Sequence, residues 1–125
     1  MEEFKYLGKK TSSPSKKLDV FPKPDNITHI KFESNELTSF CPVTGQPDFS
    51  TLLLEYGPDK LCLESKSLKL YIWSFREDAI FAEGLANTIT NDVFEALQPL
   101  WVKVSILQNI RGGIQLTAVA EKQKE

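Results

Sequence analysis

The sequence predicts an α+β fold: an antiparallel sheet with two helices on one face, in the order strand, strand, helix, helix, strand, strand. Three observations predict it. Apolar residues alternate with period two near both ends of the chain; the period lengthens to that of a helix between residues 68 and 97; and turn signals such as Gly57-Pro58 and Gly112-Gly113 separate the segments. Because the helices come as a block, a βαβ parallel sheet is excluded.

Residues 1–24 read as an N-terminal arm, with three of the seven prolines, six lysines and no hydrophobic period. Phe4, Tyr6, Leu7, Val20 and Phe21 could pin parts of it to a neighbour. Residues 25–122 read as one domain and 123–125 as a short tail. The first strand is Ile27–Phe32, with Thr28, Ile30 and Phe32 on one face. Residues 36–48 hold Pro42, Gly45 and Pro47 and read as a long turn. The leucine-rich stretch Ser50–Tyr56 is the second strand, and Leu61-Cys62-Leu63 a short extended piece.

Leu68, Tyr71, Ile72 and Phe75 then fall at i, i+3, i+4 and i+7, the apolar face of a helix that Ser65 or Ser67 could cap. A second helix spans Phe81–Leu97, with Leu85, Ile89, Val93, Ala96 and Leu97 as its stripe and Pro99 as its stop. Two strands follow, Leu100–Leu107 and Gly113–Ala120, joined by a hairpin loop at residues 109–113.

At 125 residues the chain has room for a single core. Its net charge of −2 gives no general nucleic-acid or membrane surface, and no apolar run approaches the ~18 residues of a membrane span. The Met1-Glu2-Glu3 start lacks the basic-then-apolar order of a signal peptide, which points to the cytoplasm. One histidine and two cysteines are too few for a His/Cys zinc site. Neither glycine-rich phosphate loop, GxGxxG or GxxxxGK[ST], is present.

Cys41 lies in a polar loop, where backbone N–H groups or a nearby cation could raise its thiolate fraction; it could equally be an incidental thiol or a disulfide partner of Cys62. Asp48 follows a Gly-Gln-Pro turn that could fold it back toward the sulfur as a proton carrier, or it is a plain loop acid. Lys66 and Lys69 share one side of a helix's first turn, against the macrodipole, which asks for solvent or an anion such as phosphate. Arg111, beside two glycines, could approach the same anion. Glu83, near a helix start, suits either the dipole or the amine edge of a purine-like ring. His29, on the first strand, reads as surface or sheet structure.

Two segments are distinctive together. Phe40-Cys41-Pro42-Val43-Thr44-Gly45-Gln46-Pro47-Asp48-Phe49 and Glu64-Ser65-Lys66-Ser67-Leu68-Lys69-Leu70-Tyr71 resemble the hallmark motifs of the NADPH-dependent 7-cyano-7-deazaguanine reductases, the QueF-type nitrile reductases of queuosine biosynthesis. Phe75-Arg76, Phe81 with Glu83, and Arg111-Gly112-Gly113-Ile114 resemble further family segments in order, so the likeness spans about residues 27–120.

The resemblance implies the tunnelling fold, a homo-oligomeric ring with active sites between subunits, and no direct contact with nucleic acid. It implies that Cys41 attacks the nitrile carbon to give a thioimide and that Asp48 donates the proton. Leu63, Glu64, Ser65, Ala82 and Glu83 would line the substrate site, with Glu83 on the base. Lys66, Lys69 and Arg111 would meet the NADPH phosphates. One position departs: the family usually has histidine before that glutamate, and this chain has Ala82. Two other readings stay open. Relatives that form an amidine from the same thioimide lack the lysine-bearing octapeptide found here, and a non-catalytic deazapurine or pterin binder would have no need of the missing histidine.

Overall fold

The computed structural model describes residues 13–125. Its eight elements are β1 (Val20–Pro22), β2 (Ile30–Phe40), β3 (Pro47–Gly57), β4 (Leu61–Leu63), α1 (Ser65–Trp73), α2 (Ala82–Leu97), β5 (Trp101–Gln108) and β6 (Thr117–Gln123). β2, β3, β5 and β6 form an antiparallel sheet in that order, and β1 pairs with β4 in a two-stranded ribbon.

Paired residues in adjacent strands share a face, so the register lays out the core in rows. Phe32, Leu54, Val104 and Ala120 form one row, and Leu52, Ile106 and Ala118 part of the next. Leu52, Leu54, Tyr56, Val102, Val104 and Ile106 are all buried. The buried stripe of α2, including Leu85, Ile89, Val93 and Leu97, belongs to the same core as Leu68, Tyr71 and Ile72 of α1. Tyr71 Oη donates to Asp92 Oδ2 at 2.6 Å, which ties the two helices together.

The boundaries of three strands differ from expectation, and β2 starts at Ile30, not at Ile27. β2 does not stop at Phe32 but runs to Phe40, with a bulge between Ser34 and Leu37. The extra residue switches the inward-facing positions from Ile30 and Phe32 to Leu37 and Ser39, which breaks the alternation that marks a strand. The turn-rich segment thereby shrinks to a short loop at residues 41–46, and β3 begins at Pro47. At the other end β6 starts at Thr117, not at Gly113, and extends to Gln123, inside the expected tail.

The arm is tied down where it is described. Phe21 pairs with Cys62 and Val20 with Leu63; Glu64 N donates to Asp19 O at 2.9 Å; and Lys16 Nζ bonds Ser74 and Asp78 while lying over the Phe75 ring. Phe4, Tyr6 and Leu7 lie outside the described residues. His29 is exposed one residue before β2, not in the strand, and sits beside Trp101 with its Nε2 3.1 Å from Glu55 Oε2.

Candidate active site

The loop after β2 is closed by its own backbone. Cys41 N donates to Gln46 O, and Gly45 N to Cys41 O, both at 2.9 Å. This short ring turns Thr44 back toward Cys41. The Thr44 hydroxyl, the Thr44 amide and the Val43 amide all hydrogen-bond the sulfur and hold the thiol below its usual pKa, opposed by slight burial and by the charge of Asp48. Gln46 N donates to Thr44 Oγ1 at 3.2 Å, which fixes the oxygen and leaves its proton for the sulfur. Thr44 had no role in the sequence reading; its signal is the Cys-x-x-Thr-Gly spacing inside a turn. Cys62 is the opposite case: buried in β4, with its thiol pushed up by desolvation. Both cysteines are free.

Asp48 is not on a loop. It continues the inward face of β3, two residues beyond Ser50, opposite Ser39 of β2, and is 5% exposed. Its carboxylate is met by Arg111. The β2–β3 register thus brings the acid to the base of the Cys41 loop.

A third group arrives through the backbone. Phe40 N donates to Asp78 O at 2.8 Å, and Ile80 N to Phe40 O at 3.1 Å. These bonds dock the α1–α2 connection beside the nucleophile loop. The start of α2 then forms a cavity with that loop, lined by Pro42, Ile80, Phe81 and Glu83. Phe81 caps α2 without a side-chain bond and is 53% exposed, a free aromatic face next to an exposed carboxylate. Phe81 also had no assigned role; its signal was an aromatic just ahead of a helix start. Ala82, first in α2, is buried in the core.

The octapeptide residues lie elsewhere. Glu64, and neither serine, caps α1: Oε2 accepts from Lys66 N and Oε1 from Ser67 N, both at 2.8 Å. Ser67 Oγ donates to Glu64 O and accepts from Asp19 N. Leu63 is buried, and its N–H donates to Tyr56 Oη at 2.8 Å. Burial pushes the Tyr56 hydroxyl up to about 12, so it stays a neutral acceptor. Ser65 and Lys69 are exposed and line a groove between α1 and β2 that also holds Phe32, Leu68, Glu33 and Glu36. A lysine and a hydroxyl at a groove edge fit one phosphate of a dinucleotide, but the two glutamates oppose a second. Arg111 lies away from this groove, on Asp48.

Within one chain, therefore, Cys41, Asp48, Arg111 and the Glu83 cavity are brought together, whereas Ser65 and Lys69 face a separate groove. A cysteine with a stabilised thiolate beside a buried carboxylate serves enzymes that capture an electrophilic carbon on sulfur. Comparison with known proteins narrows the class. Residues 47–125 match the family model described as QueF-like protein. A protein named NADPH-dependent 7-cyano-7-deazaguanine reductase from Nitrosospira multiformis is 51% identical over 112 residues, covering 88% of this chain and 81% of that one. Its namesake from Syntrophus aciditrophicus is 48% identical, covering 94% and 85%. The apo crystal structure of the archaeosine synthase QueF-Like superposes with a TM-score of 0.71 at 26% identity, over 75% of this chain and 92% of that one. The chain belongs to the QueF family, and its α+β architecture is the tunnelling fold.

Proposed function

We propose that this protein reduces the nitrile of 7-cyano-7-deazaguanine to the aminomethyl group with NADPH. The geometry that carries the reading is the Cys41 loop, closed by its own backbone and set at the buried carboxyl of Asp48; Thr44 and Val43 hold the thiol below its usual pKa. As Cys41 sulfur adds to the nitrile carbon, the thiol proton passes to the Asp48 carboxylate and from there to the nitrile nitrogen, giving a thioimide. Capture matters because the thioimide carbon is more electrophilic than the nitrile. NADPH, when bound, supplies one hydride to the thioimide and a second to the imine left after the sulfur departs. Each hydride is matched by a proton, so the nitrile gains four hydrogens and Cys41 is regenerated.

Phe81 and Glu83 hold the base. Phe81 offers a face for stacking, and Glu83 accepts from the amine edge of the deazaguanine. Lys66 and Lys69 meet the cofactor phosphates at the first turn of α1. Ser65 and Lys69 face a different groove from Cys41, which supports a homo-oligomer whose neighbour completes each site. Among the described residues, the β2 and β6 edges of the sheet carry no further strand and are available for that assembly. The reading carries a cytoplasmic location with it; no helix among the described residues is long and apolar enough to cross a membrane. Oxidation of NADPH on addition of 7-cyano-7-deazaguanine, in a ratio of two cofactors per aminomethyl product, tests the assignment; no oxidation contradicts it.

A further inference from the structure

The guanidinium of Arg111 reaches over the base of the Cys41 loop. Nη1 donates to Asp48 Oδ1 and, at 3.5 Å, to Pro47 O, while Nη2 donates to Gln46 Oε1. These three acceptors are consecutive residues, and Gln46 is the one whose carbonyl holds Cys41 N–H. One side chain thus spans the strand that carries the acid and the end of the loop that carries the nucleophile.

The hairpin that delivers Arg111 is built to hold it there. Arg111 N donates to Ile114 O at 2.9 Å and Ile114 N to Arg111 O at 3.0 Å. Gly112 and Gly113 turn the chain between them at φ 60° and 75°, which side chains with a Cβ rarely adopt. Asn109 N donates to Phe49 O at 2.8 Å, anchoring the hairpin base to the residue after Asp48. A carboxylate as buried as Asp48 needs a charged or hydrogen-bonding partner to stay in place.

We infer that Arg111 is a positioning residue for Asp48, fixing its carboxyl at the Cys41 loop before any cofactor binds. The consequence for turnover rests on the nitrile-reduction reading; the consequence for the sulfur does not. Among the described residues, charged side chains come to the loop from each element packed against it. Asp48 comes from β3, Arg111 from the β5–β6 hairpin, Glu83 from α2 across Pro42, and Asp78 from the α1–α2 connection, already paired with Lys16. The charge of Asp48 opposes ionisation of Cys41, and Arg111 pairs with that carboxylate. Without Arg111 the carboxylate acts on the sulfur unpaired and is no longer held in one orientation.

The test uses Arg111→Gln and Arg111→Lys, each alone and with Asp48→Asn, in the full chain. The first measurement is the pH dependence of Cys41 alkylation by iodoacetamide, with neither substrate nor cofactor present. Arg111→Gln is expected to move the midpoint upward and slow alkylation at neutral pH about threefold or more. In the Asp48→Asn background the same change moves the midpoint less, because the part of the effect that acts through the carboxylate is gone. The second measurement is the rate of covalent adduct formation with 7-cyano-7-deazaguanine without NADPH. That rate falls about tenfold or more in Arg111→Gln, with Arg111→Lys between the two, since lysine restores the charge but not the fork. If Arg111→Gln leaves both measurements at the wild-type value and only raises KM for NADPH, Arg111 is a phosphate ligand alone and the inference is overturned. If the wild type forms no adduct, the reductase reading fails while alkylation still decides: an unmoved midpoint overturns the positioning role, a shifted one sustains it.

Discussion

Phe40 and Ala79 form an isolated parallel bridge, joined through Phe40 N to Asp78 O and Ile80 N to Phe40 O. Because Cys41 follows Phe40, and Phe81 and Glu83 follow Ala79, the bridge sets the nucleophile beside the cavity proposed for the base. The distance between a covalent-capture atom and its recognition group is thus set by backbone hydrogen bonds, which side-chain substitutions nearby leave intact.

The two cysteines should differ in reactivity. Thr44 and Val43 hold the Cys41 thiol low, and burial pushes Cys62 up. The thiolate fraction of an acid grows as pH rises through its pKa, so Cys41 reaches full alkylation at lower pH than a free cysteine, and Cys62 at higher pH if at all. Peptide mapping after iodoacetamide treatment across pH 6–10 measures both. Thr44→Val removes the hydroxyl and should move the Cys41 midpoint upward.

Glu64 is expected to behave as a helix cap. Glu64→Ala leaves Lys66 N and Ser67 N without an acceptor and should cost about 1 kcal/mol, in the range for loss of an N-cap. Glu64→Asp, with a side chain that caps well, should retain most of that stability. The urea midpoint at fixed protein concentration reports the difference.

Lys69 is exposed on the α1–β2 groove, apart from Cys41. Lys69→Ala should raise KM for NADPH about tenfold, equivalent to one lost charge-assisted hydrogen bond of ~1.4 kcal/mol, while adduct formation proceeds at the wild-type rate. Loss of the adduct in this variant would place Lys69 at the substrate.

Ala82 begins α2 and has no proton to exchange. Ala82→His puts an imidazole at a buried helix start, where it should cost about 1–3 kcal/mol of stability and where the dipole favours its neutral form. Steps after capture should accelerate about tenfold or more if the departure limits turnover, in keeping with the size of general acid–base effects. Single-turnover decay of the adduct after NADPH addition measures this; an unchanged rate would show that another group already moves the proton.

Much of the fold was legible in the sequence because the helix stripes and the β5 alternation are unbroken and β3 is rich in leucine. The α2 limits were visible because Phe81 and Pro99 bracket a strict 3.6-residue pattern. The second half of β2 was not, since the bulge at Ser34–Leu37 reverses inside and outside, and a pattern test reads that reversal as an end. The last strand misled in the opposite way. Ile114 extends the alternation of Leu116 and Ala118 yet is 70% exposed, because the Gly112–Gly113 turn holds it off the sheet.

For the site, Cys41, Asp48 and Glu83 could be picked out by residue type and turn context, but their meeting could not. It depends on the β2–β3 register and on the Phe40–Ala79 bridge, which are contacts between segments with no local signature. Arg111 is the sharpest case. The glycines beside it announced a close approach, and the structure shows that what it approaches is Asp48.

The most direct test of the central claim is the intact mass of the protein after mixing with 7-cyano-7-deazaguanine, before and after NADPH is added. The account predicts a single adduct of the nitrile's full mass on Cys41, absent in Cys41→Ala, that disappears with NADPH as the aminomethyl product accumulates. An unmodified mass in the wild type would contradict it, and so would an adduct that persists without any oxidation of NADPH.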